Sequence, residues 1–589
     1  ASGSTATSYD SSTAGFAVSQ VNSNTLTNSG IISADYDGTG TNLSDGIGLY
    51  AITSGVADQA TFDATVSSNT ITNTGRVYGM RDGIRLVADS SDTGVEGDKV
   101  ITNTINNNYV GWDDDPHTDE GRVVSNQIGV HLSASTVNGN TLNNSSLIVS
   151  DPGMSLDGTS LTKSDPASFD NTHVNFVAIK FNGQGDDGNT INLNNPAYLA
   201  GTILLSEGSG VDSNTTVNLT SGYSHSNVWS IQNDGTYGPA DVNLLGQLPW
   251  FVRESTVGVN GQTNNTYATY DPSMLAARAN AAADLSEAAN VAIATNMTRD
   301  LKAPSQLWMT GSYGNNRYDQ RESNPNMDQK TRLYTVAVGY DQTVDNYRVG
   351  VMAGYNQSRL TTGSLYSDLY AHSYDNESSG GFASLYGMRD LGMFKLDLGL
   401  SAGAQEHDDK RFVNDNLEWW GISYAKSNYN SQWVSPSAKL ALPFDLGSDW
   451  TVAPNAQVSY TYQRIGSYTE KESNSNASFD SYGIGVVESR LAVDLSKDVG
   501  GLKATLTGGY MNRDVKSGNS IDMTMIGHKQ QVDSWTQNLD AVFARLSLKY
   551  DITDKFAINA MGSYMKAKHQ GSDDGTSGGY GNLSLIYKF

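Results

Sequence analysis

Asn582-Leu583-Ser584-Leu585-Ile586-Tyr587-Lys588-Phe589, the last eight residues of a 589-residue chain, decide how the rest is read. Leu583, Leu585, Tyr587 and Phe589 fall on every second position, and Asn582, Ser584 and Lys588 fill most of the places between. Successive side chains of a β-strand point to opposite faces, so this stretch has one apolar face and one polar face. The alternation recurs upstream: Tyr334, Val336, Val338 and Tyr340; Val349, Val351, Ala353 and Tyr355; Phe394, Leu396, Leu398, Leu400 and Ala402. It continues in Val452 to Tyr462, Leu502 to Tyr510, Val542 to Tyr550 and Phe556 to Tyr564.

A strand tilted across hydrocarbon needs about ten residues, with alternate side chains against lipid and against a lumen. Many of these runs end in Tyr, whose apolar body and polar tip suit the bilayer interface. Arg348, Lys395, Asp397, Lys503, Arg545 and Lys549 lie on the opposite face, where they would be costly against lipid but acceptable in a wet lumen. From Gln306 to Phe589 there are about twelve candidate strands, and an even number predicts a closed antiparallel transmembrane β-barrel. The rival fold is a soluble β-sandwich, whose strands also alternate; their length, number and aromatic ends favour the barrel. No run of about twenty apolar residues exists. With a mean hydropathy of −0.42, a barrel is therefore the only way this chain can cross a bilayer.

Immediately upstream the character changes. Asp271 can cap a helix that Pro272 opens, and a run of alanines with Leu285 and Val291 continues it to Met297. A helix that packs on one side of a core shows a stripe of bulky residues; this one is slim enough to thread a narrow lumen.

Residues 1 to about 260 are rich in Asn, Thr, Ser, Gly and Asp, which alone could indicate a disordered stalk. A paired recurrence argues for structure. One motif is Asn24-Thr25-Leu26-Thr27-Asn28, Asn69-Thr70-Ile71-Thr72-Asn73, Asn103-Thr104-Ile105-Asn106-Asn107, Asn140-Thr141-Leu142-Asn143-Asn144 and Asn189-Thr190-Ile191-Asn192. A second alternates with it, as in Gly83-Ile84-Arg85-Leu86 and Ile128-Gly129-Val130-His131-Leu132. Spacings of about 10 to 25 residues suit one rung of a solenoid. We therefore expect a right-handed parallel β-helix with a Leu, Ile and Val core, and with Asn and Gly at corners where Asn can also stack in ladders. The repeat fades between Ala200 and Gln262, where Trp229, Leu244, Leu245, Leu248, Trp250 and Phe251 add bulk suited to covering an exposed end.

The bulk numbers exclude several function classes. The chain has no Cys, which removes disulfides and Cys-based zinc sites. A net charge of −25 without Lys/Arg clusters argues against nucleic acid as a partner. Ala1-Ser2-Gly3-Ser4 has neither a basic n-region nor an apolar h-region, so we expect either a signal peptide already removed or more chain upstream.

In this order, β-helix, bulky capping unit, slim helix and barrel resemble the monomeric (type Va) autotransporters of Gram-negative bacteria. The resemblance implies an all-β chain of four parts: a β-helix passenger at 1–199, an autochaperone-like capping unit at 200–265, a linker and pore helix at 266–305, and a 12-stranded barrel at 306–589. It implies an outer-membrane location, a passenger carried to the cell surface, and a pore helix carrying Pro272, Leu275, Ala279, Ala283, Leu285 and Asn290. It also implies that the barrel-assembly machinery reads Leu585, Tyr587 and Phe589, although Ser584 stands where the family usually has glycine. Some members cut themselves at an Asn-Asn pair in the helix. Here Ala289-Asn290-Val291 offers one Asn beside a β-branched residue, so no such cleavage is expected.

No catalytic motif appears in the passenger. It lacks Gly-x-Ser-x-Gly, and His117, His131, His173 and His225 are scattered singly. The acidic cluster Asp113 to Glu120 beside Trp112 lacks the spacing of a calcium loop and reads as a solvated loop. His407-Asp408-Asp409-Lys410-Arg411, placed in a loop, could resemble outer-membrane proteases but has no evident second partner. We therefore expect no enzyme, no cofactor and no metal. The expected partners are outer-membrane lipid, the barrel-assembly machinery, and either a host surface or matrix ligand or the same passenger on a neighbouring cell. The expected function is an autotransporter displaying an adhesin or self-association module. The alternatives are a translocator whose enzymatic passenger lies partly outside this chain, and an outer-membrane channel.

Overall fold

A computed structural model describes residues 16–34, 44–53, 61–90, 97–108, 122–151, 155–157, 160–162, 177–183, 187–194, 197–205, 214–221, 226–233, 241–256, 263–297, 301–318, 328–363, 373–536, 538–568 and 575–589. The acidic cluster Asp113 to Glu120 and the side chains of His117, His173 and His225 lie outside these residues.

The N-terminal strands stack in parallel, coil on coil, as a β-helix. One face holds Thr25–Asn28, Thr70–Asn73, Thr104–Asn107, Thr141–Asn144, Asp187–Leu193, Asn214–Thr220 and Asp241–Leu245. In-register pairing lines up Leu26, Ile71, Ile105, Leu142, Ile191 and Val217. This inward column packs with equivalents from the other faces, such as Val66, Val123, Val130 and Ile179, into one continuous core.

Asparagine does more than turn corners. Asn69, Asn103 and Asn140 are buried, and each side-chain Nδ2 donates to the next coil's Oδ1, at 2.9, 3.0 and 3.1 Å, ending on Asn189. A second buried ladder joins Asn28, Asn73, Asn107 and Asn144. Neutral amides carry a donor and an acceptor each, so an identical column satisfies itself with no charge buried. The left-handed backbone position falls one residue before the first ladder, at Ser23, Ser68 and Thr102 (φ 55°, 55° and 53°), then at Gly139 and Gly188. Ser and Thr thus hold three corners that Asn or Gly was expected to hold.

Parallel stacking continues past residue 199 to Asp241–Leu245. It gives way to an antiparallel hairpin, Trp250–Thr256 and Thr263–Thr269, whose second strand pairs with Ser226–Asn233. Trp229 and Trp250 meet there with ring centroids 5.8 Å apart. Thr263–Thr269 crosses the expected 265/266 division, so a strand, with almost no linker, leads into the helix.

Helix α1 (Ser273–Asn296) is the single α-helix among the described residues. Twelve strands follow: β1 (Gln306–Tyr318), β2 (Gln329–Val344), β3 (Tyr347–Thr362), β4 (Tyr374–Asp390), β5 (Lys395–Asp415), β6 (Ile422–Ala441), β7 (Trp450–Ile465), β8 (Tyr482–Val499), β9 (Leu502–Ser517), β10 (Leu539–Asp551), β11 (Phe556–Lys568) and β12 (Gly575–Lys588). Each pairs antiparallel with the next, and β12 pairs with β1, Lys588 opposite Gln306, which closes the barrel. The segment His407 to Arg411, expected in a loop, lies inside β5, because the strand runs on well past the bilayer.

The outer surface is the inverse of a soluble protein's. Tyr340, Tyr347, Trp450, Tyr550 and Phe556 ring one end, Tyr334, Tyr355, Tyr460, Tyr510 and Tyr564 ring the other, and Val336, Val351, Leu398, Leu491, Leu546 and Leu583 lie exposed between. From Phe556 to Tyr564 is about 27 Å along the strand, or roughly 20 Å of membrane at a tilt of about 40°, close to the apolar band of known barrels. Connections at the Tyr340 end are short; those at the other end are longer. Two of the longer ones contribute Tyr468–Thr469, Ala477–Phe479, Ser520–Met525 and His528–Asp533 to a four-stranded sheet. Short turns face the periplasm and long loops the outside, which orients the barrel.

Candidate functional site: the occupied lumen

α1 is buried around nearly its whole circumference and touches strands on all sides of the barrel. Its N-terminus lies at the long-loop end. The Asp271 carboxylate accepts the Ser273 backbone N–H at 2.9 Å and so caps the helix from two residues back, while Pro272 holds the cap position itself. Ser273 bonds Thr362 of β3 at 2.8 Å, and Tyr374 of β4 donates to the Asp271 carbonyl at 2.9 Å. Burial pushes the Asp271 carboxyl up to about 6, against opposing hydrogen bonds from Ser273 and the charge of Arg411.

Three polar residues on α1 anchor it to the wall. Arg278 donates to Asp409 of β5 and Tyr429 of β6, both at 2.7 Å, to Tyr468 at 2.9 Å and to Tyr482. Asp284 accepts from Tyr318 of β1 at 3.0 Å and from Arg513 of β9 at 3.2 Å; Arg513 also donates to Glu488 of β8 at 2.9 Å and to Asn280 of the helix at 3.2 Å. Glu287 receives Arg490 of β8 at 2.7 Å and Arg545 of β10 at 3.2 Å. Charges taken from water need this degree of pairing, and removing one partner strands the other.

The remaining surface of the helix is mostly small. Pro272, Leu275, Ala279 and Ala283 are buried in the outer half, where Leu275, Ala279 and Ala283 pack with Tyr374, Tyr429 and Ile484. Leu285 packs in the inner half with Ala337, Met352 and Trp433. Asn290 is half-buried and accepts a hydrogen bond from Ser437 of β6 at 3.1 Å. Lumen aromatics lie flat over glycines of adjacent strands: a Cβ at Gly339 would meet the Trp308 ring at 2.2 Å. That arrangement keeps bulky rings against the wall and leaves an axial space that an alanine helix fills.

The inner mouth is tied shut. Gln306 of β1 donates to the Asn296 carbonyl and Asn559 of β11 to the Thr295 carbonyl, both at 2.6 Å. The fully buried pair Arg348 and Asp341 holds the linker, Arg348 donating to the Ala303 and Pro304 carbonyls at 3.1 and 2.9 Å.

At the outer mouth the β-helix docks on the barrel. The end of β5 adds in parallel to Ser226–Asn233, with Val413, Asn414 and Asp415 opposite Ser226, Asn227 and Val228. The Asn416 amide grips the Ser230 backbone at both ends, at 2.8 and 3.1 Å. Tyr78, Val124, Val149 and Ala200, an outward column on successive coils, pack with Trp419 and Ile422.

Residues 307–581 match the family model for the autotransporter β-domain. The C-terminal half of this chain is an autotransporter β-domain. Solved structures similar to it include the translocator domain of the autotransporter NalP from Neisseria meningitidis, 15% identical, covering 54% of this chain and all of that one with a TM-score of 0.42. The transport unit of the autotransporter AIDA-I from Escherichia coli is 14% identical, covers 55% and 100%, and has a TM-score of 0.33. No curated protein sequence matches the chain. The β-domain spans the bacterial outer membrane, and the residues ahead of it are exported to the surface as the passenger.

Of the residues expected to carry the assembly signal, Leu585 and Tyr587 lie on β12 and Phe589 just beyond its end. Leu585 and Phe589 face outward at 57% and 62% exposure, and Tyr587 lies between Phe556 and Phe589, tilted to the first ring and edge-on to the second, with 5.0 Å to each ring centre. Ile586, which breaks the alternation in sequence, is buried against the lumen. Sequence reasoning missed Arg278, Asp284 and Glu287 as anchors, along with Arg490 and Arg513. The available signal was three charges within ten residues of an otherwise alanine-rich helix, which a slim rod can bury only against opposite charge. In β5, Asp409 pairs with Arg278 and Arg411 with Glu470, while His407 stacks on Tyr429 at 4.8 Å and bonds Ser431 at 2.8 Å. These are ion pairs and packing within the wall. His131 meets Asp82 at 2.9 Å on the β-helix.

Proposed function

We propose that the passenger is an adhesive or self-associating module held at the cell surface by its own β-domain, and that it is not an enzyme. The observation that supports this is an outward ladder on the β-helix face that runs from Thr25–Asn28 to Asp241–Leu245. Asn106 bonds Thr72, Asn143 bonds Asn106, Asn192 bonds Asn143, Asn218 bonds Asn192 and Asn243 bonds Asn218, at 2.6 to 3.4 Å. A column of threonines, Thr25, Thr70, Thr104, Thr141, Thr190 and Thr216, runs beside it in register. Amides and hydroxyls repeated at the strand spacing offer many weak hydrogen bonds to a glycan, a matrix polymer or a second copy of the same face.

In this reading the partners are a host surface or matrix ligand or the passenger of a neighbouring cell, and the barrel-assembly machinery recognises Leu585, Tyr587 and Phe589. The helix stays uncut at Asn290. The test is settling of cells that display the full chain. Substituting Asn143→Lys and Asn192→Lys should abolish clumping or ligand adhesion while surface display is unchanged. Undiminished clumping at equal display would remove the ladder from the account.

A further inference from the structure

The wall of the lumen is uneven in charge. Beside the C-terminal end of α1, a cavity of about 210 Å³ is lined by Lys439, Arg490, Lys503, Arg545 and Lys549, with Asp494 as the one carboxylate among them. Some of these cations have local duties: Arg490 and Arg545 hold Glu287, and Lys439 meets Asp494 at 3.2 Å. Lys503 and Lys549 differ from these, although Lys503 also faces Asp498 of β8 in register. They stand directly opposite each other in the β9–β10 register, where like charges repel.

The partner that fits is in the same chain. Residues 1–262 contain 27 Asp and Glu against 8 Lys and Arg. Because α1 enters at the outer mouth and leaves at the inner one, everything ahead of Ser273 has crossed the membrane. We propose that the cationic arc on β6 and β8 to β10 is a guide for the acidic passenger during export. Carboxylates of the extended chain pair in turn with Lys439, Lys503 and Lys549, and Glu287 arrives last to remain on Arg490 and Arg545. This proposal is independent of what the passenger binds once outside.

The test uses the full chain in cells, comparing the parent with the triple variant Lys439→Gln, Lys503→Gln, Lys549→Gln. Barrel folding is read by heat-modifiable gel mobility, and passenger arrival by pulse-labelling with external protease. The expected result is unchanged barrel yield with arrival slowed at least about threefold, a modest value beside steering effects of ~10-fold or more. The matching Lys→Arg triple should restore the parent rate. A passenger with 19 of its 27 carboxylates changed to Asn or Gln, leaving 8 against its 8 Lys and Arg, should arrive at one rate through either wall. Equal arrival through the parent and Gln walls overturns the proposal. So does a slowing that persists with the neutralised passenger, since the wall would then act on the barrel or the plug. Should the triple variant fail to assemble, Lys503→Gln alone relieves the cross-strand repulsion and is expected to assemble as well as the parent while still delaying arrival; normal arrival there would also overturn it.

Discussion

The interior of the β-helix and the lumen of the β-domain both bury polar groups inside β-structure, by opposite means. The β-helix repeats one neutral group, so Asn69, Asn103, Asn140 and Asn189 satisfy one another and each coil depends only on its neighbours. The lumen joins unlike groups at single positions, so Arg513 alone links Asp284, Glu488, Asn280 and Tyr318. A repeated neutral contact can form at any coil and lose one member locally. A unique charged contact specifies one partner and one depth for the helix, at the risk of a stranded charge.

The largest expected effect follows from that risk. Arg513→Ala leaves Glu488 and Asp284 short of a partner in a buried site, and should cost about 3–5 kcal/mol of β-domain stability in denaturant melts. Adding Glu488→Gln and Asp284→Asn should recover part of the loss. A loss under about 1 kcal/mol would mean that the network is solvated.

Next comes the helix cap. The Asp271 carboxyl titrates near 6 in the folded protein because burial disfavours its charge, well above its ordinary 3.8. A raised folded value means that its contribution is fully present below about pH 4 and is lost as pH rises through 6. Over that window the seating of the helix N-terminus should weaken by about 3 kcal/mol, from two pH units at ~1.4 kcal/mol each. Hydrogen exchange of Ser273 to Ala277 between pH 4 and pH 8, normalised for intrinsic rate, checks the sign. Asp271→Asn should flatten the dependence.

Asn103→Ala should cost about 1–3 kcal/mol, because Val66 and Asn140 lose a donor and Asn69 an acceptor. Its signature is locality: limited proteolysis should open the coils around residues 66–140 while the heat-modifiable mobility of the barrel is unchanged. The smallest effect runs the other way. Thr102 holds the left-handed corner that Gly139 holds one coil later, so Thr102→Gly should stabilise the β-helix by about 1 kcal/mol, and Gly139→Ala should destabilise it by a similar amount.

Both regions were legible in the sequence, through different signals. Period-two alternation exposed the barrel directly, because lipid outside and water inside impose opposite demands on neighbouring residues; Tyr334 to Tyr340 and Leu583 to Phe589 face where their pattern says. The β-helix repeat was equally visible, since Asn24, Asn69, Asn103, Asn140 and Asn189 recur on one side of Leu26, Ile71, Ile105, Leu142 and Ile191. What could not be read were contacts between parts. Nothing local marks Arg278 for Asp409, or Asn416 for the Ser230 backbone, because such pairs are separated by 131 and 186 positions and depend on the depth of the helix and the reach of β5. The loop placement of His407 to Arg411 failed for a related reason. A charged stretch reads as a loop until the strand is known to run on beyond the bilayer.

Both comparisons rest on α1 lying inside the β-domain with the passenger outside. Single-channel conductance of the full chain in planar bilayers, set against a chain lacking Ser273–Asn296, measures that most directly. The account predicts a nearly closed pore in the intact protein and a stable open one without the helix. An intact protein that conducts as freely as the deletion would contradict it.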